Sequence, residues 1–149
     1  METKIQKEFL ETGFGFPVRL INVPMIKVRG EWTPNVNYNA LADEVLLALS
    51  RKGSRLTGAE VRFIRTHFEM TLQEFAKRFS VTHVAVLKWE KTKHTATVMG
   101  WATEKDVRLF VVTKLGSQAP AFAELYSSLE TMPARKSSLI HLDAQDLAA

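Results

Sequence analysis

Two helix-start signals, at Thr71 and Thr82, constrain this chain more than anything else in it. Thr71 is a good N-cap residue, and Glu74 three positions later completes a capping box, so a helix is predicted from Leu72. Leu72, Phe75, Ala76 and Phe79 recur at three and four and form one buried stripe. Ser80-Val81 interrupts that pattern, and Thr82 caps a second helix whose inward face is Val81, Ala85, Val86 and Trp89. Helices of about eight to ten residues are marginal alone and must be held by neighbours. Leu56 to Phe68 supplies one: Thr57 and Glu60 form another capping box, with Val61, Ile64 and Phe68 behind it. The chain is thereby committed to a tight turn between short, packed helices, with small Ala76 where two of them approach.

What the second helix leaves outside is His83, Val84, Leu87 and Lys88. Arg65, at the edge of an apolar face rich in aromatics (Phe68, Phe75, Trp89), is predicted to meet Glu90. A partly buried ion pair of this kind speaks for fixed geometry more than for net stability. Two short helices and a tight turn, the second with a free side of small and basic residues, is the layout that places a helix in the major groove of DNA.

On these residues, Leu56 to about Lys93 resembles the Xre family, the phage repressor and Cro-type helix-turn-helix proteins. The matching residues are Arg65, the Thr71-Leu-Gln-Glu-Phe-Ala run, Val81-Thr82, Val86 and Trp89-Glu90. The resemblance implies that Arg65 and Glu90 pair across the domain, that His83, Val84 and Lys88 face base edges, and that Gln73 grips a phosphate. Val84 is apolar where many relatives carry a polar reader, which points to contact with a thymine methyl. Such proteins bind palindromic operators as homodimers and are often cytoplasmic antitoxins that repress their own toxin operon.

Charge placement leads the same way. Residues 54–94 hold eight Lys/Arg against four Asp/Glu, a net +4 equal to that of the whole chain. A basic excess confined to one segment suits phosphate neutralisation. Lys88, Lys91, Lys93 and His94 are the expected backbone contacts, joined by the hydroxyls of Thr71 and Thr82 and of the loop after Glu90.

The fold expected is mainly α: a helix-turn-helix bundle of about five helices with a small N-terminal β-hairpin and a flexible or strand-like C-terminal tail. Three segments are expected: 1–53 hairpin plus helix, 54–115 the helix-turn-helix domain, and 116–149 a helix and tail. Phe16 to Val28 is β-rich with Pro17 and Pro24, and Gly30-Glu31 turns the chain. Asn39 is read as the start of a helix ended by Arg51-Lys52 and a C-cap Gly53. Hairpin, helix and helix-turn-helix in this order resemble antitoxins with an N-terminal zinc ribbon, whose cysteine pairs are missing here. Downstream, a helix capped by Thr103 runs through Val107, Phe110 and Val111, and another follows Gly116. Pro133 to Ser138 reads as a linker, and the tail from Thr131 as a frayed end or a strand offered to a toxin or chaperone.

Several classes of function are disfavoured. No apolar run approaches the eighteen residues of a membrane span, and the chain has no Cys for disulfides or thiolate metal sites. Its four His show no ligand spacing with carboxylates, so no metal and no cofactor are expected. Nucleophile elbows, phosphate loops and dinucleotide turns are missing, which reads against an enzyme. Two functions remain: a DNA-binding repressor, or chiefly a protein-interaction module that neutralises a partner through its hairpin or tail.

Overall fold

The computed structural model describes residues 1–116, 119–130, 133 and 138–149. Among these are six α-helices and a four-stranded mixed sheet, so the fold is α/β and not the mainly α bundle with a small hairpin that the sequence suggests. Two compact units account for the chain: Met1–Val45 with Leu139–Ala149, and Leu46–Ser138. The boundary falls inside a helix, and the first unit joins both ends of the chain, so the units do not follow the three linear segments.

In the first unit, β1 (Thr3–Glu11) lies antiparallel to β2 (Val18–Val28), with Glu11 opposite Val18 and Thr3 opposite Ile26. β2 turns through Arg29 (φ 52°) and Gly30 (φ 82°) into β3 (Glu31–Pro34). Two consecutive left-handed residues make the tight hairpin turn whose twist matches its strands. The expected hairpin is thus β2–β3, and β1 is the strand the sequence hides. Most of its residues are exposed, Ile5 and Leu10 included, so no alternation marks it.

β2 alternates at its start and is buried continuously further along. Val18 and Leu20 are buried at even positions, and Val23, Pro24 and Met25 are buried in succession. Asn22 between them has φ 53°, and Asn tolerates the left-handed region better than most residues. The Asn22 amide donates to Asp143 at 2.9 Å, at the end of β4 (Ile140–Asp143). β4 pairs in parallel with β2, Val18 opposite Ile140. The tail is therefore a strand over Ile140–Asp143, seated in the chain's own sheet and followed by a 3-10 turn at Gln145–Leu147. Asn37 and Ala149 donate backbone N–H groups to Leu147 and Asn35, which ties the last residues to the segment after β3. The expected linker lies mostly outside the described residues.

α1 (Tyr38–Ser50) begins behind Asn37, whose side-chain oxygen accepts from the N–H of Ala40. Basic residues and Gly53 do not cap its end as expected: Gly53 is not left-handed, and Lys52 turns inward to Glu60, Nζ at 2.8 Å from each oxygen.

The second unit is built on a buried charge network. Glu104, with no exposed surface, accepts from Arg55 Nε (2.8 Å), the N–H of Leu56 (3.2 Å), and Arg108 Nε and Nη2 (3.1 and 2.8 Å). Arg108 also donates to the carbonyls of Lys52 and Ser54 at 2.6 Å, and Arg55 to that of Met99. Both guanidinium groups lie 5.5 Å from the Trp101 ring. Burial pushes Arg108 below the ordinary guanidinium range, and the neighbouring Glu104 opposes that shift. Glu104 and Arg108 sit on α5 (Trp101–Lys114), which starts at Gly100 and not at the predicted cap Thr103.

α2 (Gly58–His67), α3 (Leu72–Arg78) and α4 (His83–Glu90) complete the helical core. The capping boxes at Thr57 and Thr71 both form, as does the single cap at Thr82. α2 and α3 end alike: Glu69 (φ 55°) and Ser80 (φ 58°) are left-handed, and the next residues, Met70 and Val81, bond back to Arg65 and Ala76. That is the glycine-type helix stop made without glycine, at a cost of about 1–2 kcal/mol each. Phe75, Phe79, Phe68 and Phe110 meet edge to face, with centroids 4.7–5.6 Å apart. α6 (Ala119–Ser128) adds Leu125, which joins Leu129 and Val112 in a second buried cluster.

Gly58 fixes how closely α2 meets the end of α4. A Cβ there would press on the backbone carbonyl of Trp89, come within 2.7 Å of that of Glu90 and within 2.6 Å of Thr92 Oγ1. Gly58→Ala is expected to cost about 2–3 kcal/mol, as overpacking against backbone does. Urea unfolding that shows a change below about 0.5 kcal/mol would contradict this close approach.

Candidate functional site

α4 is held from behind. Val86 and Trp89 are buried, and the Glu90 carboxylate takes a two-pronged contact from Arg65, Nε at 2.7 Å and Nη2 at 3.0 Å. The third arm of the same guanidinium, Nη1, donates to the carbonyl of Met70 at 2.9 Å. One side chain therefore ties α2 to the turn before α3 and to the end of α4. Planar, forked pairing of this kind fixes orientation as well as distance. The N-terminus of α4 is set by Thr82, whose hydroxyl accepts from the N–H of Ala85 at 3.2 Å.

The outward side carries His83, Val84, Leu87 and Lys88, all exposed. At 3.6 residues per turn, 84, 87, 88 and 91 share one face. Val84 and Leu87 retain 46% and 39% of their surface, high values for branched apolar residues in the middle of a packed unit. Lys91, Lys93 and His94 follow directly and are exposed. Their loop is not loose: the carbonyl of Lys93 accepts from the N–H of Ala59 at 2.9 Å, and Thr97 donates to the carbonyl of Leu56 at 3.0 Å. Thr71, Gln73 and Thr82 are exposed at the starts of α3 and α4. Both threonine hydroxyls serve as cap acceptors; that of Thr71 also hydrogen-bonds the Glu74 carboxyl, while that of Thr82 keeps its proton to donate.

The basic segment is less available than its count suggests. Of its eight Lys/Arg, Arg55 is held by Glu104, Arg65 by Glu90 and Arg78 by Asp106. The exposed remainder is Arg62, Lys77, Lys88, Lys91 and Lys93. Three of these five fall between positions 88 and 93, on or just after α4. Glu74 completes the electrostatics of the α3 start. The Thr71 N–H, donating at 3.0 Å, holds its carboxyl below the ordinary range, with the Thr71 hydroxyl as second cause.

Sequence reasoning assigned no role to Leu87, which lies between Val84 and Lys88 on the exposed face; its exposure beside Val84 was the signal. The Glu104 network was missed because each member reads alone as a solvated helix charge. Among the described residues, no three His, Asp or Glu gather to hold a metal ion, and no helix is long and apolar enough to cross a membrane. Compared with protein-family models, curated proteins and solved structures, the chain matches none.

Glu90→Ala should cost about 2–4 kcal/mol, because Arg65 is left partly buried without its counter-charge. Glu90→Gln should cost less. Equal melting temperatures for wild type and Glu90→Ala would show that the pair is not what holds α4. A second expectation concerns acid. Since the Glu74 carboxyl is depressed, its stabilising contribution is present above the ordinary value of 4.5 and lost as pH falls through the lower folded value. An NMR titration should place the Glu74 midpoint below 4.5, and Thr71→Ala should move it part of the way back. A wild-type midpoint at or above the ordinary value would contradict the cap.

Proposed function

We propose that this protein binds double-stranded DNA sequence-specifically through α4, acting as a transcriptional repressor. The observation that carries the reading is the outward face of α4: an exposed row of His83, Val84, Leu87 and Lys88 on a helix fixed from behind by Trp89 and the Arg65–Glu90 fork. A recognition helix needs both properties, rigid placement and side chains free to reach base edges. Lys91, Lys93 and His94 beside it, with the hydroxyls of Thr71 and Thr82 and the amide of Gln73, supply donors for phosphate oxygens.

The likeness to Xre-type proteins supports two extensions: a homodimer on a palindromic operator, and an antitoxin that represses its own operon in the cytoplasm. In the protein-interaction alternative, a toxin or chaperone docks on the N-terminal sheet. The C-terminal strand is less suited to that role, since its pairing with β2 already occupies it.

Selection from a random duplex library with the full chain tests the DNA reading. Binding to the selected duplex should weaken steeply between about 50 and 200 mM salt. Lys88→Ala should weaken it about ten-fold or more, the scale of one lost base contact. A chain that enriches no sequence, or a Lys88→Ala and Val84→Ala double variant that retards DNA as wild type does, would overturn the proposal.

A further inference from the structure

The exposed face of α4 has a composition that the DNA reading alone does not require. Its centre is apolar: Val84 and Leu87, one helical turn apart, are 46% and 39% exposed. On the helix itself and just after it the exposed residues flanking them are His83, Lys88 and Lys91, and the single acid of the helix, Glu90, is turned away to Arg65. Neither apolar side chain donates or accepts a hydrogen bond. Pressed against a base edge that presents an amino or carbonyl group, each would strip that group of water and return nothing. Against a methyl group the same contact removes apolar surface from water on both sides. In the major groove the natural base that offers a methyl is thymine, at its C5 position, and 5-methylcytosine places a methyl on the same carbon. A protein partner fits this surface less well. Two side chains beside lysines cover little apolar area, whereas exposed lysines at 88, 91 and 93 suit a polyanion.

We infer that Val84 and Leu87 together read 5-methyl groups of neighbouring pyrimidines in the major groove, so that thymine or 5-methylcytosine is accepted where unmethylated cytosine is disfavoured. On a helix, residues three apart have Cβ atoms about 5–6 Å from one another, against about 3.4 Å between successive bases on a strand. The pair spans one base step or two. The contact extends beyond Val84 alone, because Leu87 gives the face a second apolar group at the correct spacing. The consequence is sensitivity to cytosine methylation in the target. This rests on the DNA-binding reading above, and the experiment separates the two.

With the full chain and its library-selected duplex, deoxyuridine is placed at each thymine in turn, which removes one methyl and changes nothing else. At one or two positions affinity should fall about three- to five-fold, the scale of burying one CH₂-sized group. Cytosine at those positions, paired with guanine, should bind more weakly than 5-methylcytosine in the same place. In a Val84→Ala/Leu87→Ala variant, checked for folding by its melting curve, the ratio of thymine to deoxyuridine affinity should approach one. If no duplex is selected at all, the DNA-binding reading itself fails. If a duplex is selected but every deoxyuridine substitution is silent, the DNA reading stands and methyl recognition is wrong. A thymine preference that persists in the double variant would equally overturn the assignment to Val84 and Leu87.

Discussion

Glu104 is the constraint on which the helical unit turns. Its carboxylate is fully buried, and four donors converge on it, from Arg55, Arg108 and the backbone of Leu56. Through Arg108 and Arg55 the same cluster reaches the carbonyls of Lys52, Ser54 and Met99. The connection from α1 to α2 and the approach to α5 are thus fastened at one point. Fully satisfied buried networks of this kind specify a unique arrangement more than they add net stability, because desolvating the charges offsets much of their attraction. Lys52 with Glu60 repeats the device beside it, and Glu60 serves at the same time as the reciprocal member of the α2 capping box.

From that frame the order of support runs outward. Thr57 caps α2, and Gly58 lets the end of α4 come within contact of it. Arg65 then reaches across to Glu90 and to the carbonyl of Met70. What emerges on the far side is a short helix with Val86 and Trp89 packed inward and His83, Val84, Leu87 and Lys88 exposed. Eight residues would not hold this shape in water by themselves. Their fixed placement comes from packing and from one forked ion pair, and the proposed DNA-binding role rests on that placement.

The helical half was legible because its signals are local. Thr71 with Glu74 and Thr57 with Glu60 lie within a few residues and formed as the spacing indicated, and the apolar stripes turned inward with Leu72, Val81, Ala85 and Phe68 only half-buried. The sheet was legible only in part. β2–β3 announced itself through Gly30, although the turn is Arg29-Gly30 and not the expected Gly30-Glu31; β1 did not, because its side chains are exposed on both faces and period-two alternation has nothing to report. β2 misleads for a different reason, since past Asn22 its Val23, Pro24 and Met25 are buried in succession and the alternation of Val18 and Leu20 stops. The tail could be recognised as strand-forming, yet its partner, Val18–Ile21, lies over a hundred residues earlier in the chain.

By itself, then, the amino-acid sequence determined where α2, α3 and α4 start, which of their faces turn inward, and that His83, Val84 and Lys88 stand outside, because capping and periodicity are short-range chemistry. It also put Arg65 and Glu90 within reach of each other, since an aromatic surround leaves either charge poorly hydrated alone. Tertiary structure alone decided that the fold is α/β and that the tail closes the N-terminal sheet. It likewise decided that three of the arginines in the basic segment face their own protein's carboxylates. Those outcomes depend on which distant segments meet, and a charge or a strand reads the same in a sequence whether its partner turns out to be water or another part of the chain.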